Sequence, residues 1–151
     1  MEAGLLFKIA NSVAMLGWLL MFIIPYHKIT RKVIHSGLLP VLLSALYFVI
    51  MATTLGSAEG SFASLEGVKK LFTHDYAVLG GWVHYLAFDM FVGSWELQDA
   101  EHRNISRIIM IPILFFTFML GPIGYLAYKA LIWFKTGRSK EDTPGRKLEL
   151  T

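Results

Sequence analysis

The stretch YAVLGGWVHYLAFDMFVGSWEL, residues 76–97, is long and apolar enough to cross a bilayer, yet it carries His84 and Asp89. An ionisable side chain at bilayer depth is costly, so it usually faces a bundle interior or a wet cavity and usually has a role. On a helix these two side chains point about 140° apart and differ in depth by about 7–8 Å. They could therefore flank one small reacting group or belong to separate networks.

This predicted helix has two different sides. One side is purely aliphatic, whereas the other carries ionisable and aromatic residues. This pattern indicates that the two sides face different environments. We expect the aliphatic side to face lipid and the polar side to face protein, water or substrate. The aliphatic side comprises Leu79, Val83, Leu86, Met90 and Leu97, and the polar side carries His84, Tyr85, Phe88, Asp89 and Glu96, with Asp99 beyond them.

The composition indicates a membrane protein. Of 151 residues, 55% are hydrophobic and only 17% are charged, and the mean hydropathy is +0.54. The charges cluster between long apolar runs, which is the pattern of a polytopic membrane protein with one domain. Cysteine is absent, which excludes a disulfide framework, a thiolate nucleophile and a cysteine metal site.

Four apolar runs predict four transmembrane helices. They cover residues 4–25, 37–55, 76–97 and 105–134. The fourth run is longer than a bilayer needs, so we expect it to tilt, bend or protrude. Pro112 and the GPIG sequence at residues 121–124 are the predicted bend points.

The rest of the chain fits around this bundle. Within residues 57–75, apolar residues recur at helical spacing between charged ones, which predicts a short amphipathic helix in the membrane interface between spans 2 and 3. The first connector, residues 26–36, is short and basic and predicts a loop that faces lipid headgroups. The predicted fold class is therefore all-α, a four-transmembrane-helix bundle in one domain (residues 1–135) with a polar, disordered tail (residues 136–151).

The basic residues give a preferred orientation. Four spans would put both termini on one side, where seven Lys and Arg residues lie in the tail and the second connector, against five on the other side. Cytoplasmic loops carry the excess of Lys and Arg, so the prediction is that both termini are cytoplasmic.

Three blocks of the sequence resemble a known membrane family. The run WVHYLAFDMFVG (residues 82–93), followed by Asp99 and Arg103, and the later run FTFMLGPIG (residues 116–124) are similar to blocks of the abscisic-acid-deficient-four-like, or neoxanthin synthase-like, family. The run PYHKITRKVIHSGLLPVLLSALY (residues 25–47) fits that family's first connector and second span.

The resemblance implies a substrate class. Plant members of the family are four-span proteins of the chloroplast envelope, linked to conversion of violaxanthin to neoxanthin, which opens an epoxide and leaves an allene. This chain would then act on or bind a carotenoid or another isoprenoid. Because no plastid transit peptide precedes the first span, we expect a bacterial-type member in a bacterial inner membrane. The polar positions that match the family block are His84, Asp89 and Asp99.

Epoxide isomerisation needs an acid near the epoxide oxygen and a base near a vinylic C–H group. We assign Asp89 as the proton donor and His84 as the base, with the opposite assignment left open, and Asp99 as a third catalytic candidate. Aromatic side chains would line an apolar slot for a polyene. These are Trp82, Tyr85, Phe88, Phe91, Trp95 and Tyr47.

Two other classes of function stay open at this stage. The chain could be a non-catalytic module that binds a carotenoid or other lipid, or a scaffold for a partner enzyme. It could also be a metal-dependent membrane enzyme, with His84, Asp89 and Glu96 as ligands. Bis-histidine haem is disfavoured because only one histidine lies deep in a span, so no cofactor is predicted. The basic residues are spread over loops, which argues against nucleic acid and leaves a lipid-phase small molecule as the expected partner.

Overall fold

The computed structural model describes residues 2–54, 56 and 59–141, with side chains described as far as residue 135. Every regular element in this part of the chain is helical, which confirms the all-α class. The helices are α1 (Ala3–Ile23), α2 (Lys28–Thr30), a π-helical turn (Arg31–His35), α3 (Leu38–Thr54), α4 (Leu65–Leu71), α5 (Asp75–His102), α6 (Arg107–Leu120) and α7 (Pro122–Glu141).

Two helical segments are long and apolar enough to cross a membrane, judged by length and composition. They are Ala3–Ile23 and Lys28–Thr54, and the apolar helix α6 is shorter. Only 28% and 22% of the residues in their most apolar windows are buried inside the protein. Most of this apolar surface therefore points away from the rest of the chain.

Helix α5 is the centre of the fold. Its first turn lies beside the start of α1, where Phe7 and Asp75 line one small cleft, and further along it Met90 packs against Gly17 of α1. The two helices are therefore parallel. Helix α3 is antiparallel to α5, because Ile50 lies near Gly80 and Pro40 lies near Phe91.

The aliphatic side of α5 does not face lipid, so the predicted sidedness is wrong. Leu79, Val83 and Leu86 are buried, and so are Met90 and Leu97. The reason is that α5 packs against α1 and α3, and its aliphatic side chains fill the space between these helices. The exposed strip of α5 is aromatic and includes Trp82, Phe88 and Phe91.

The predicted fourth span is divided into two helices at Gly121. Its φ of +43° and ψ of −91° suit glycine, and Pro122 begins the next helix. A Cβ at Gly124 would collide with the backbone of Thr117, although residues seven apart lie about 10 Å from each other in a straight helix. The chain therefore folds back on itself, and α6 and α7 form a helical hairpin. Pro112, the other predicted bend point, lies inside the single helix α6.

The contacts of α7 show its direction. Gly121 lies beside Asp89, the rings of Tyr125 and Trp95 are tilted with centroids 5.9 Å apart, and the Tyr128 hydroxyl donates to Asp99 at 2.8 Å. Helix α7 thus runs parallel to α5, back toward the end of α5 at which α6 begins. The start of α1 and the end of α7 therefore lie at opposite ends of α5, whereas four crossings would have put them at the same end.

The first connector is folded rather than a simple loop. His35 is half-buried, and its Nε2 lies 2.8 Å from the Pro25 carbonyl oxygen while its Nδ1 lies 2.8 Å from Ser94 Oγ. Arg107 donates to the carbonyl oxygens of Phe22 and Ile23, at 2.6 Å each, where α1 ends. These bonds satisfy backbone and side-chain groups at one end of the bundle.

Short helix α4 lies where an amphipathic helix was predicted. Leu65, at its start, is 70% exposed, and Phe62 just before it is 72% exposed, whereas Val68 and Leu71 are half-buried. Helix α7 continues to Glu141, past the predicted domain boundary at residue 135, and residues 142–151 lie outside the described part. The disordered tail stays a prediction.

Candidate functional site

A groove of about 460 Å³ lies between α5 and the turn of the hairpin. Its volume falls in the range of about 300–1,000 Å³ that is common for small-molecule sites. The α5 side comes from the strip that the sequence placed between His84 and Asp89, and the α7 side comes from the GPIG sequence. The lining residues are His84, Tyr85, Phe88, Asp89, Val92, Gly121, Pro122 and Tyr125.

His84 lies on the open side of the groove. Its imidazole is exposed and stacks on Phe88, with ring centroids 4.7 Å apart and an interplanar angle of 21°. Tyr47 of α3 meets the same imidazole edge-on at 5.4 Å. The ring thus has two aromatic neighbours while the residue stays exposed, as a base that touches a bound molecule must be.

Asp89 lies at the bottom of the groove. The residue is only 8% exposed, and its Oδ2 is buried without a hydrogen-bond partner in the part of the chain that is described. A Cβ at Gly121 would lie 2.6 Å from Oδ1, so only glycine lets the hairpin turn approach the carboxyl group so closely. The carboxyl group therefore lies where α7 begins.

Tyr85 connects the groove to α6. Its hydroxyl donates to the Phe118 carbonyl oxygen at 2.9 Å, close to the end of α6, and it also interacts with the carboxyl group of Asp89. The hydroxyl thus satisfies a backbone group that the helix end leaves without an intrahelical partner. It also fixes the position of the hairpin turn against α5.

Two more carboxyl groups follow Asp89 along the same face of α5. Glu96 is fully buried, and its Oε2 accepts a hydrogen bond from Thr117 at 2.8 Å. Asp99 accepts from Arg103 at 2.7 Å and from Tyr128 at 2.8 Å. Asp99 is therefore an ion-paired group at the end of the bundle, and it does not line the groove.

The predicted aromatic residues separate into different places. Tyr85 and Phe88 line the groove, and Tyr47 reaches it through His84. The others do not line it. Trp82 donates to Asn11 of α1 at 2.8 Å, Phe91 lines a cleft between α3 and α5, and Trp95 packs against Tyr125 and Tyr128.

The proposed metal ligands do not converge. His84, Asp89 and Glu96 form no cluster, and among the described residues no group of three His, Asp or Glu side chains could hold a metal ion. Glu96 bonds to Thr117 inside the bundle, whereas His84 is on the open side of the groove. The geometry therefore offers no support for the metal alternative.

Sequence reasoning missed a second polar network. Gln98 donates to Ser94 Oγ at 3.2 Å, and Ser94 in turn bonds to His35. His35 lies in the first connector, and the basic composition of that connector predicted that it faces lipid headgroups. The missed signal was the polar pair Ser94 and Gln98, which lie four residues apart and therefore on the same side of α5.

Comparisons with known proteins agree with this reading of the sequence. The model of the family described as ABA DEFICIENT 4-like matches residues 5–128. Protein ABA DEFICIENT 4, chloroplastic, of Arabidopsis thaliana is 20% identical over 138 residues, which is 86% of this chain and 63% of that protein. This chain therefore spans less than two thirds of its curated relative, and no solved structure matches it. Because the family model covers most of the chain, the chain belongs to the ABA DEFICIENT 4-like family.

Proposed function

We propose that this chain is an integral membrane isomerase that acts on an isoprenoid epoxide, with a carotenoid epoxide as the best-fitting substrate. The observation that carries the proposal is that His84 and Asp89 line one largely apolar groove. An accessible imidazole and a buried carboxyl group within one site supply the base and the acid that such an isomerisation needs. The chloroplast relative supports the choice of substrate class.

The membrane arrangement follows from the exposed apolar surface. Helices α1, α3 and α5 would each cross the bilayer, and the α6–α7 hairpin would enter it from one side and return to that side. Exposed residues such as Phe48 (70%) and Ile108 (77%) suit a lipid environment. Irregular backbone at membrane depth is tolerated where protein buries it, and Gly121 is buried against Asp89.

This arrangement also gives an orientation. The end of the bundle with the first connector carries seven basic residues up to residue 135, and the opposite end carries Lys69 and Lys70, with Lys8 near the start of α1. We propose that the more basic end is cytoplasmic. Its basic residues are Lys28, Arg31, Lys32, Arg103, Arg107, Lys129 and Lys135.

The chemistry assigns one role to each residue. Asp89 donates a proton to the epoxide oxygen as the C–O bond breaks, and His84 takes the vinylic proton as the new double bond forms, so composition is unchanged. Phe88 and Tyr125 would hold the ring end of the substrate, since both line the groove. The remaining polyene would extend along the lipid-facing side of the protein.

The test is a comparison of pigments and lipids, by mass spectrometry, from epoxy-carotenoid-producing cells with and without the chain. Cells with the wild-type chain should accumulate an isomer of the epoxide, and cells with His84→Ala or Asp89→Asn should not. Trp133→Phe is a matched control because Trp133 is exposed far from the groove. A pigment that co-purifies without conversion would favour the non-catalytic binder, and unchanged conversion by both variants would refute the assigned roles.

A further inference from the structure

We propose that the protein has a second binding site, for a neutral lipid alcohol, at the end of the bundle opposite the first connector. The site is a cavity of about 650 Å³, where the start of α1, the end of α3 and the start of α5 come together. It is larger than the groove, which measures about 460 Å³. The site is separate from the proposed isomerisation and does not depend on it.

The walls of the cavity are mostly aliphatic. The aliphatic side chains are Leu6 of α1 and Leu46, Val49 and Ile50 of α3. Two threonine hydroxyl groups near the end of α3 donate to their own helix, since Thr53 and Thr54 bond to the Ile50 carbonyl oxygen at 2.9 and 2.7 Å. Among the lining residues that the structure describes there is no Lys or Arg. The cavity therefore suits an apolar, uncharged body rather than an anionic headgroup.

The cavity and the groove lie on different sides of α3. Tyr47 meets His84 of the groove edge-on, whereas its neighbours Leu46 and Val49 line the cavity. On an α-helix these two side chains point about 100° and 160° away from Tyr47. The cavity is also bordered by α1, whereas the groove is bordered by the hairpin. A molecule in one site therefore leaves the other site open.

The polar end of the cavity is formed by His74, the N-cap residue of α5. Its backbone carbonyl oxygen accepts from Ala77 and Val78, but its side chain does not cap the helix. The imidazole lies beside the ring of Tyr76, with centroids 6.1 Å apart. Its Nδ1 is buried and has no hydrogen-bond partner among the described residues. Buried polar atoms in proteins are nearly always paired, so this nitrogen points to a partner that a bound molecule supplies.

The partner of Nδ1 has to suit the imidazole in either neutral tautomer. Nδ1 accepts a hydrogen bond in one tautomer and donates one in the other. A hydroxyl group can do both, whereas an ester or ether oxygen only accepts and an ammonium group only donates. The hydroxyl group of a lipid alcohol is therefore the group that fits this nitrogen in both forms.

The direction of the cavity also suits such a lipid. In the proposed membrane arrangement, Thr54 and His74 lie near the interface, at the end of the bundle that carries α4. Leu46 lies about 12 Å further into the bilayer than Thr54, because eight residues of helix separate them. The cavity therefore runs from a polar end at the interface to an apolar end at depth, which is how an amphipathic molecule lies in a membrane.

The test is native mass spectrometry of the full chain in detergent micelles with two matched probes. The probes are all-trans-retinol and deoxyretinol, in which a methyl group replaces the CH₂OH group, and they are added together at equal concentrations. The wild-type protein should retain retinol in preference. His74→Phe should lower the ratio of the retinol complex to the deoxyretinol complex by about 10-fold, the effect of one hydrogen bond. Because both probes compete in the same micelles, differences in their partitioning cancel when two proteins are compared.

Two further variants control for loss of structure. His102→Phe should leave the ratio unchanged, because His102 is exposed at the other end of α5. His74→Asn should also keep the preference for retinol, since its amide group takes the place of Nδ1 and Asn is a good N-cap residue. A wild-type protein without preference for retinol, or a wild-type ratio in His74→Phe, would overturn the proposal.

A second pair of variants tests the location. Val49 lines the cavity and is 57% exposed, whereas Val41 is 63% exposed on the same helix and does not line it. Val49→Phe should therefore reduce the fraction of retinol-bound protein, and Val41→Phe should not. Equal retention by both variants would place the lipid elsewhere and overturn the site. A protein that binds retinol here but converts no epoxide would refute the proposed function and support this site.

Discussion

The hairpin turn at Gly121 gives the most direct structural prediction. We expect Gly121→Ala to destabilise the protein and to displace Asp89. A side chain at a φ of +43° and ψ of −91° costs about 1–3 kcal/mol of backbone strain. The new Cβ would also lie 2.6 Å from Asp89 Oδ1, and overpacking of this kind costs about 1–3 kcal/mol more. The predicted loss of stability is therefore about 2–6 kcal/mol.

The assay is reversible unfolding in mixed detergent micelles. Gly4→Ala is the matched control, because nothing lies within 4 Å of a Cβ at that position, and it should change the free energy of unfolding by less than about 1 kcal/mol. A double-mutant cycle separates the two costs. Asp89→Ala should recover the steric part of the Gly121→Ala loss and leave the backbone part. A Gly121→Ala protein as stable as wild type would refute the turn and, with it, the position of Asp89.

Other predictions follow from the fold. Because the chain contains no cysteine, single-cysteine variants can report on which side of the membrane a residue lies. An impermeant maleimide should label Lys28→Cys and Lys135→Cys from one side of the membrane and Lys69→Cys from the other. Labelling of positions 69 and 135 from the same side would contradict the hairpin. Arg107→Met should lower the free energy of unfolding by about 1–3 kcal/mol, since two carbonyl groups at the end of α1 lose their charged donor. An unchanged denaturation midpoint would show that water replaces it. His35→Phe should destabilise the protein by a similar amount, about 1–3 kcal/mol, because Ser94 and the Pro25 carbonyl lose their shared partner, as measured by the same unfolding assay.

Much of the fold could be predicted because hydrophobic runs have a physical length. Apolar residues 4–25 and 37–55 predicted α1 and α3 to within a few residues. The break near residues 121–124 was also predictable, since glycine and proline end helices for reasons that act locally. The direction taken after the break was not, because it depends on the fit of Gly124 against Thr117, and such packing leaves no periodic signal in the sequence.

The candidate site was predictable in part. The spacing of His84 and Asp89 placed Tyr85 and Phe88 between them, and these four residues do line one groove. The opposite wall could not be predicted, since Pro122 and Tyr125 reach it only through the hairpin. The prediction of which side of α5 faces lipid was wrong. An aliphatic stripe suits a lipid face and a protein core equally well, and hydrophobicity alone does not distinguish them.

The measurement that tests the account most directly is turnover of a purified preparation in lipid nanodiscs. Wild-type protein, His84→Ala and Asp89→Asn would each be given an epoxy-carotenoid, and chromatography would follow the appearance of an isomer of identical mass. The account predicts conversion by the wild-type protein and at least about a 10²-fold lower rate in each variant, with all three proteins equally stable in the membrane. Equal rates in all three proteins would contradict it.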